Sequence, residues 1–323
     1  MIKNLHPLKF TPILQERIWG GEKLRTELNK PVDKPNIGES WEISDVKGYS
    51  SIVQEGALTG KSLRELIETY KSDLLGKQNF QRFDGKFPIL IKFIDAKTDL
   101  SIQLHPDDEL AKKRHDSFGK TEMWHVMHAD KGSRLILGLK KGVDAKTYLE
   151  HLEDKTLPGI LNEVSVSKGD TFFIEAGLIH AIGGGIMLAE IQQTSDVTYR
   201  VYDWDRVDAE GNSRELHNDL ALDAIDFEGK ENVEVDYERT PDKINEMVNC
   251  PFFKTNYLQL TENYHKTNTE DSFLIYICLD GQVEIESSHG TISFKRGESV
   301  LIPACIENFN ILTGKAELLE VYV

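Results

Sequence analysis

Between Phe87 and Leu137 the chain sets four compact segments close together: Phe87–Ile94, Leu100–His105, Glu122–Met127 and Ser133–Leu137. Each is apolar or alternating, and each is bounded by turn residues. Segments this short cannot form packed helices at that density, but they suit the strands of a sandwich or barrel. The expected fold class is therefore mainly β, with a few short helices. Ser62-Leu-Arg-Glu65 has the spacing of a capping box, and Leu66, Ile67 and Tyr70 continue the face that Leu63 begins. Val143–Leu152 and Leu216–Ile225 are further helix candidates. Thr240 before Pro241 predicts a short helix stopping near Pro251, read as the bridge into a second domain. Beyond it, Phe273–Ile285 reads as a hairpin turned at Asp280-Gly281.

An internal echo constrains the fold further. Ser167–His180 aligns without gaps on Lys295–Asn308, and Gly169 precedes His180 by 11 positions, as Gly297 precedes Asn308. Each copy has a basic-Gly-acidic turn, a short strand, a second turn and a closing polar residue. Repetition of one unit implies two related β-barrels in tandem, expected over residues 1–238 and 239–323. Only the first copy ends on a histidine, so only the first barrel is equipped there for a metal. A chain of 323 residues suits about two domains.

The 38 basic and 54 acidic residues leave a net charge of −16, which repels nucleic acid and anionic lipid. The same field repels a phosphorylated ligand, so any phosphate site must be a local cationic pocket. Cys250, Cys278 and Cys305 are odd in number and lack CxxC spacing, which suits reduced thiols. The opening Met1–Pro7 has no apolar stretch, and no apolar run approaches the roughly 18 residues of a membrane span. A cytoplasmic location without membrane partners is expected. Oligomeric state is not legible.

Gln103 and His105 lie two apart on one strand and share a face. Glu122 opens the next strand, and His180 closes the first echo. Two imidazoles, a carboxylate and an amide oxygen suit zinc or another borderline divalent ion; there is no thiolate, and the oxygens are too few for calcium. His125 should point away from Glu122 by alternation. By the same rule Thr198, Arg200 and Tyr202 share a face, and an inward Arg200 needs an anionic partner, either a substrate oxygen or Glu122. Gly183-Gly184-Gly185 lacks the lysine and helix of a phosphate loop and reads as a turn leaving the metal hairpin.

Several ordered motifs resemble the type I mannose-6-phosphate isomerases, a cupin-type family. They are Ser101-Ile-Gln-Leu-His-Pro-Asp107, Gly119-Lys-Thr-Glu-Met-Trp124, Gly177-Leu-Ile-His180 and the stretch Gln192–Arg206. Arg17-Ile-Trp-Gly-Gly21 and Gly38-Glu-Ser-Trp41 are similar to N-terminal motifs of the short bacterial members. The resemblance implies tandem cupin-type (jelly-roll) barrels and one Zn2+ held in the first by Gln103, His105, Glu122 and His180. It implies Lys120 and Arg200 as catalytic residues beside the metal, and Ser101 and Lys92 near the phosphate. Trp19, Glu39 and Trp41 would wall the sugar cavity. The implied reaction interconverts mannose 6-phosphate and fructose 6-phosphate, moving a proton between C2 and C1 through an enediol(ate). The chain departs from the family in having no room for the extra helical domain of larger members, and in carrying Thr121 where many relatives have proline. Two other readings fit the same donors: a cupin metal oxygenase holding iron, and a non-catalytic sugar-phosphate binding protein.

Overall fold

The structure is a computed structural model that describes residues 5–207, 210–229 and 233–323; Met1–Asn4 of the N-terminal reading lie outside the described residues. It is mainly β with a few short helices. One six-stranded sheet runs in the order Thr171–Ile174, Glu122–Ala129, Ile186–Gln193, Ile89–Ala96, Ile13–Gly21, Ile37–Ile43. A five-stranded sheet runs Leu161–Ser165, Arg134–Leu139, His180–Ile182, Ile102–Leu104, Tyr199–Tyr202. Trp19, Ile94, Trp124, Val126 and Leu188 from the first meet Leu135, Leu137 and Ile182 from the second in one buried cluster. The site lies between these two sheets.

The segment around Ile89–Ala96 reads as a nearly continuous apolar run because its sheet is buried on both faces. Ile89, Ile91 and Phe93 pack outward against Ile275, Ile277, Leu319 and Val321 of the C-terminal sheet, and Leu66 and Ile67 of the helix Leu63–Tyr70 join the same cluster. Ile94 and Ala96 pack inward. That helix carries the expected capping box: Glu65 N–H donates to Ser62 Oγ, and Ser62 N–H donates to Glu65 Oε2 at 2.8 Å. The other two candidates form as Ala145–Glu153 and Asn218–Leu222.

Two local expectations are corrected. No helix follows Pro241; Asp242 takes a φ of 56°, outside the helical region, and Asn245–Asn249 is a strand. Asn245, 5% exposed, ties the intervening loop shut by donating to the carbonyls of Thr240, Lys243 and Tyr257. Its side chain competes for the backbone groups that a helix would have used. Nor do Asp280 and Gly281 turn a hairpin: Leu274–Ser287 is one strand of 14 residues. Its register against Ala316–Tyr322 shifts between Cys278 and Asp280, and Gly281 there has a φ of 85°. The left-handed glycine that a tight turn requires serves here in a bulge instead. A Cβ on it would meet Lys315 O at 2.3 Å.

The echo appears as two like segments. Thr171–Ile174 and Ser299–Ile302 are strands preceded by turns at Gly169 (φ 95°) and Gly297 (φ 83°), and His180 and Asn308 each open the following strand. The Gly183–Gly185 run turns from His180–Ile182 into Ile186–Gln193, and Asp99 Oδ1 accepts from Gly184 N–H at 2.7 Å. No helix among the described residues is long and apolar enough to cross a membrane.

Candidate active site

Strand pairing brings the donors together. His180 is registered opposite Gln103, and Gln103 opposite Arg200, so three adjacent strands of the five-stranded sheet present one row. Glu122 faces them from the other sheet. The donor atoms of His105, Glu122 and His180 all lie within 4.8 Å of one another, and each residue is 1% exposed. Both imidazoles are oriented by backbone: His105 Nδ1–H donates to Val197 O and His180 Nδ1–H to Leu178 O, each at 2.9 Å. These bonds fix the tautomer, so each Nε2 turns a lone pair toward the same point. Gln103 Nε2 is 3.5 Å from His180 Nε2. A half-turn of this amide would present its oxygen instead, since the two ends are the same shape.

Burial lowers the affinity of His105 for a proton, and the Lys120 cation lowers it further. Burial, with His105 beside it, pushes His180 down to about 3. Both are neutral at pH 7, as ligands must be. Burial alone would raise the Glu122 carboxyl; Lys120, His105 and His180 outweigh it and hold the group well below the usual carboxylate range. Glu122 Oε1 lies 2.7 Å from Lys120 Nζ and 3.3 Å from His105 Nε2, yet makes no well-directed hydrogen bond. Its other oxygen accepts from Trp124 Nε1 at 3.0 Å. A buried anionic oxygen without a directed donor, beside two imidazole lone pairs, fits a divalent cation.

The resemblance puts Lys120 beside the metal. The strand begins at Glu122, but Lys120 reaches the same place by another route. Gly119 crosses the start of the helix Asp108–His115 so closely that a Cβ would meet Asp108 N at 2.6 Å. Lys120 N–H then donates to Pro106 O at 3.2 Å, and Lys120 Nζ sits 3.1 Å from His105 Nε2. Asp107 caps that helix through Leu110 N–H, a start signal the strand-centred sequence reading passed over.

In front of the histidines and Glu122 is a cavity of about 400 Å³, a size typical of small-ligand sites. Trp19, Glu39, Trp41, Lys92, Ser101, Gln103, Lys120 and Arg200 all line it. Lys92 Nζ is held by Glu190 Oε1 at 2.8 Å and Gln192 Oε1 at 2.5 Å. Arg17 pairs with Glu39, whose Oε2 also accepts from Trp41 Nε1 at 2.7 Å. Arg200 donates to Ser101 Oγ at 3.3 Å and to Glu215 O at 2.8 Å, and it has no carboxylate partner among the described residues. Arg17, Glu190, Trp124 and Arg214 also line the cavity and were missed by sequence reasoning. Glu190 is legible only through its register opposite Lys92 and Trp124, and Arg214 lies on a loop with no periodicity to betray it.

His125 does point away from Glu122, donating or accepting at 2.9 Å with Thr171 Oγ1. Burial, then the Arg239 and Lys168 cations, push it down from 6.5 to about 3. Between those values the unfolded chain holds the proton and the folded one does not, so stability falls as pH drops through that window. The urea midpoint of metal-free protein is expected to decline from pH 7 to pH 4.5, and His125→Gln should flatten the decline. An identical slope in the variant would remove His125 as a cause.

The chain is similar to known proteins of one family. Residues 8–121 match the family model for the catalytic domain of phosphomannose isomerase type I, and residues 243–323 match that for the mannose-6-phosphate isomerase cupin domain. Together they define a cupin-containing sugar-phosphate isomerase. Mannose-6-phosphate isomerase ManA of Bacillus subtilis is 33% identical over 315 residues, covering 96% of this chain and 97% of that one. The mannose-6-phosphate isomerase of Streptococcus mutans is 32% identical, covering 94% of each. A crystal structure of the mannose 6-phosphate isomerase from Bacillus subtilis superposes with a TM-score of 0.89 at 28% identity, over 99% of this chain and 100% of that one. A variant phosphomannose isomerase from Salmonella typhimurium, 18% identical with a TM-score of 0.81 over 98% of this chain and 99% of that one, shares the fold. The chain belongs to the type I mannose-6-phosphate isomerases, a family of aldose–ketose isomerases.

Proposed function

We propose that the protein interconverts mannose 6-phosphate and fructose 6-phosphate in the cytoplasm with one Zn2+ per chain, held by His105, Glu122, His180 and the Gln103 amide oxygen. The observation that carries this reading is the pair of backbone-fixed imidazoles converging on the undirected oxygen of Glu122 at the back of a cation-lined cavity. A bound divalent ion would supply Lewis acidity to the oxygens on C1 and C2, where negative charge builds. Lys120, 5% exposed and aimed into the cavity, is placed to move the proton between C2 and C1. Arg200 lines the cavity without a close ion pair among the described residues and turns its charge toward the developing enediol(ate). Ser101 orients Arg200 by accepting from its Nε. Trp19, Glu39 and Trp41 form the sugar wall, and Ser101 and Lys92, which the resemblance implies near the phosphate, line the same cavity. The positive lysine and arginine favour isomerisation over oxygen chemistry, which needs neither.

The finer architecture supported by these data is two tandem jelly-roll barrels divided near residue 238, with the metal in the first alone. Besides the echo, a buried cross-strand trio recurs. Glu190 is registered opposite Lys92 and Trp124 and bonds both; Glu320 is registered opposite Asn256 and Tyr276 and bonds both. Two positions before Trp124 stands Glu122, while two before Tyr276 stands Leu274, an apolar residue that binds no ion.

A coupled assay tests the function. Metal-replete protein is expected to convert fructose 6-phosphate to mannose 6-phosphate, and dialysis against a chelator to stop it, with zinc restoring it. Absence of conversion by metal-replete protein rejects the isomerase reading, and oxygen consumption would favour the oxygenase.

A further inference from the structure

Five cationic side chains line the cavity: Arg17, Lys92, Lys120, Arg200 and Arg214. In a chain of net charge −16 that concentration is against the global field. Three of the five are matched one to one. Arg17 pairs with Glu39, Lys92 with Glu190 and Lys120 with Glu122. The remaining two are not. Arg200 makes no close ion pair among the described residues, although Asp203 and Glu215 lie near enough to favour its charge. Arg214 shares one: its Nε donates to Asp203 Oδ2 at 2.7 Å and its Nη2 to Oδ1, while Arg206 Nη2 donates to that same Oδ1 at 2.5 Å. Asp203 is 5% exposed, so this clamp is a built feature of the wall. Arg206 is anchored away from the cavity by a bond to Asp99 O at 2.6 Å. Arg206 and Arg214 therefore share the single carboxylate of Asp203, which leaves net positive charge beside the cavity for a phosphate monoester, whose charge is about −1.5 to −2 at pH 7.

Position agrees with charge. The Lys120 side chain is 6% exposed and that of Arg214 is 29% exposed, so the cavity runs from a buried reacting end to a wetter rim where Arg214 stands. In a six-carbon sugar 6-phosphate, the phosphate is at the far end of the molecule from C1 and C2. Arg214 Nη1 has no partner among the described residues and is left to meet a ligand.

We propose that Arg214, clamped by Asp203, anchors the phosphoryl group and makes the cavity selective for phosphorylated over neutral sugars. This rests on the isomerase reading for its choice of sugar, but anion binding is tested apart from turnover. The experiment compares the metal-loaded wild type with Arg214→Gln and Arg214→Lys. It measures kcat and KM for fructose 6-phosphate, and the affinity for inorganic phosphate by calorimetry. Loss of one charge-assisted contact is worth about 10–100-fold. Arg214→Gln is expected to raise KM and weaken inorganic phosphate by that factor, with kcat within about threefold and metal content unchanged. Arg214→Lys should recover part of the loss, since it keeps the charge without the bidentate fork. Unchanged KM and phosphate affinity in Arg214→Gln overturn the proposal. So does a fall in kcat alone, or a parallel fall in metal content in both variants, which marks a structural role. If the wild type turns over no sugar phosphate yet binds inorganic phosphate through Arg214, the isomerase reading fails and the anchor stands.

Discussion

Glu122→Gln is expected to abolish turnover and strip the protein of its metal. The carboxylate is the only anionic donor of the three residues whose ligand atoms converge, and the amide that replaces it is neutral and a weaker donor. Altering a residue that merely orients a metal ligand costs about 10–100-fold in affinity or activity; removing a ligand's charge should exceed that range. The substitution also leaves the Lys120 ammonium, 2.7 Å from Glu122 Oε1, without its counter-charge in a buried place. The Trp124 indole keeps an acceptor in the Gln oxygen or in Glu190 Oε2, 3.1 Å away, so the wall of the site is expected to survive. Elemental analysis after dialysis, beside the coupled assay, checks both halves of the expectation. Wild-type metal content in the variant would contradict the assignment.

Lys120→Ala separates chemistry from metal binding. A positioned acid–base group contributes about 10²–10⁴-fold to turnover, so kcat is expected to fall by that factor while the metal stays. His105 and Glu122 are expected to keep their places because each has an anchor besides the lysine: Val197 O for the imidazole and Trp124 for the carboxylate. Turnover surviving within a few-fold would make Lys120 a bystander. Loss of metal together with activity would make it structural.

Much of the site was legible because strand geometry turns sequence spacing into direction. Residues 103 and 105 share a face whatever the fold's details, and the echo tied His180 to a defined place at a strand start. The direction of His125 followed from the same rule. Tertiary context hid the rest. Asp280-Gly281 supplies a left-handed residue, and only the partner strand Ala316–Tyr322 decides whether it serves a turn or a bulge. Thr240-Pro241 carries a helix-start signal that Asn245 overrides with two side-chain bonds to the loop carbonyls of Thr240 and Lys243 and a third to Tyr257 O on the neighbouring strand. Lys120 faces the cavity although no strand begins there, because a close passage at Gly119 aims it. Glu190 and Arg214 are ordinary charged residues in the sequence; register makes the first part of the wall, and the Asp203 clamp makes the second part of it.

Anomalous scattering from crystals of the metal-replete protein, recorded above and below the zinc absorption edge, tests the central claim most directly. The account predicts one peak per chain about 2.0–2.2 Å from His105 Nε2, His180 Nε2 and Glu122 Oε1. A peak elsewhere, or none at this point in protein that turns over sugar phosphate, would contradict it.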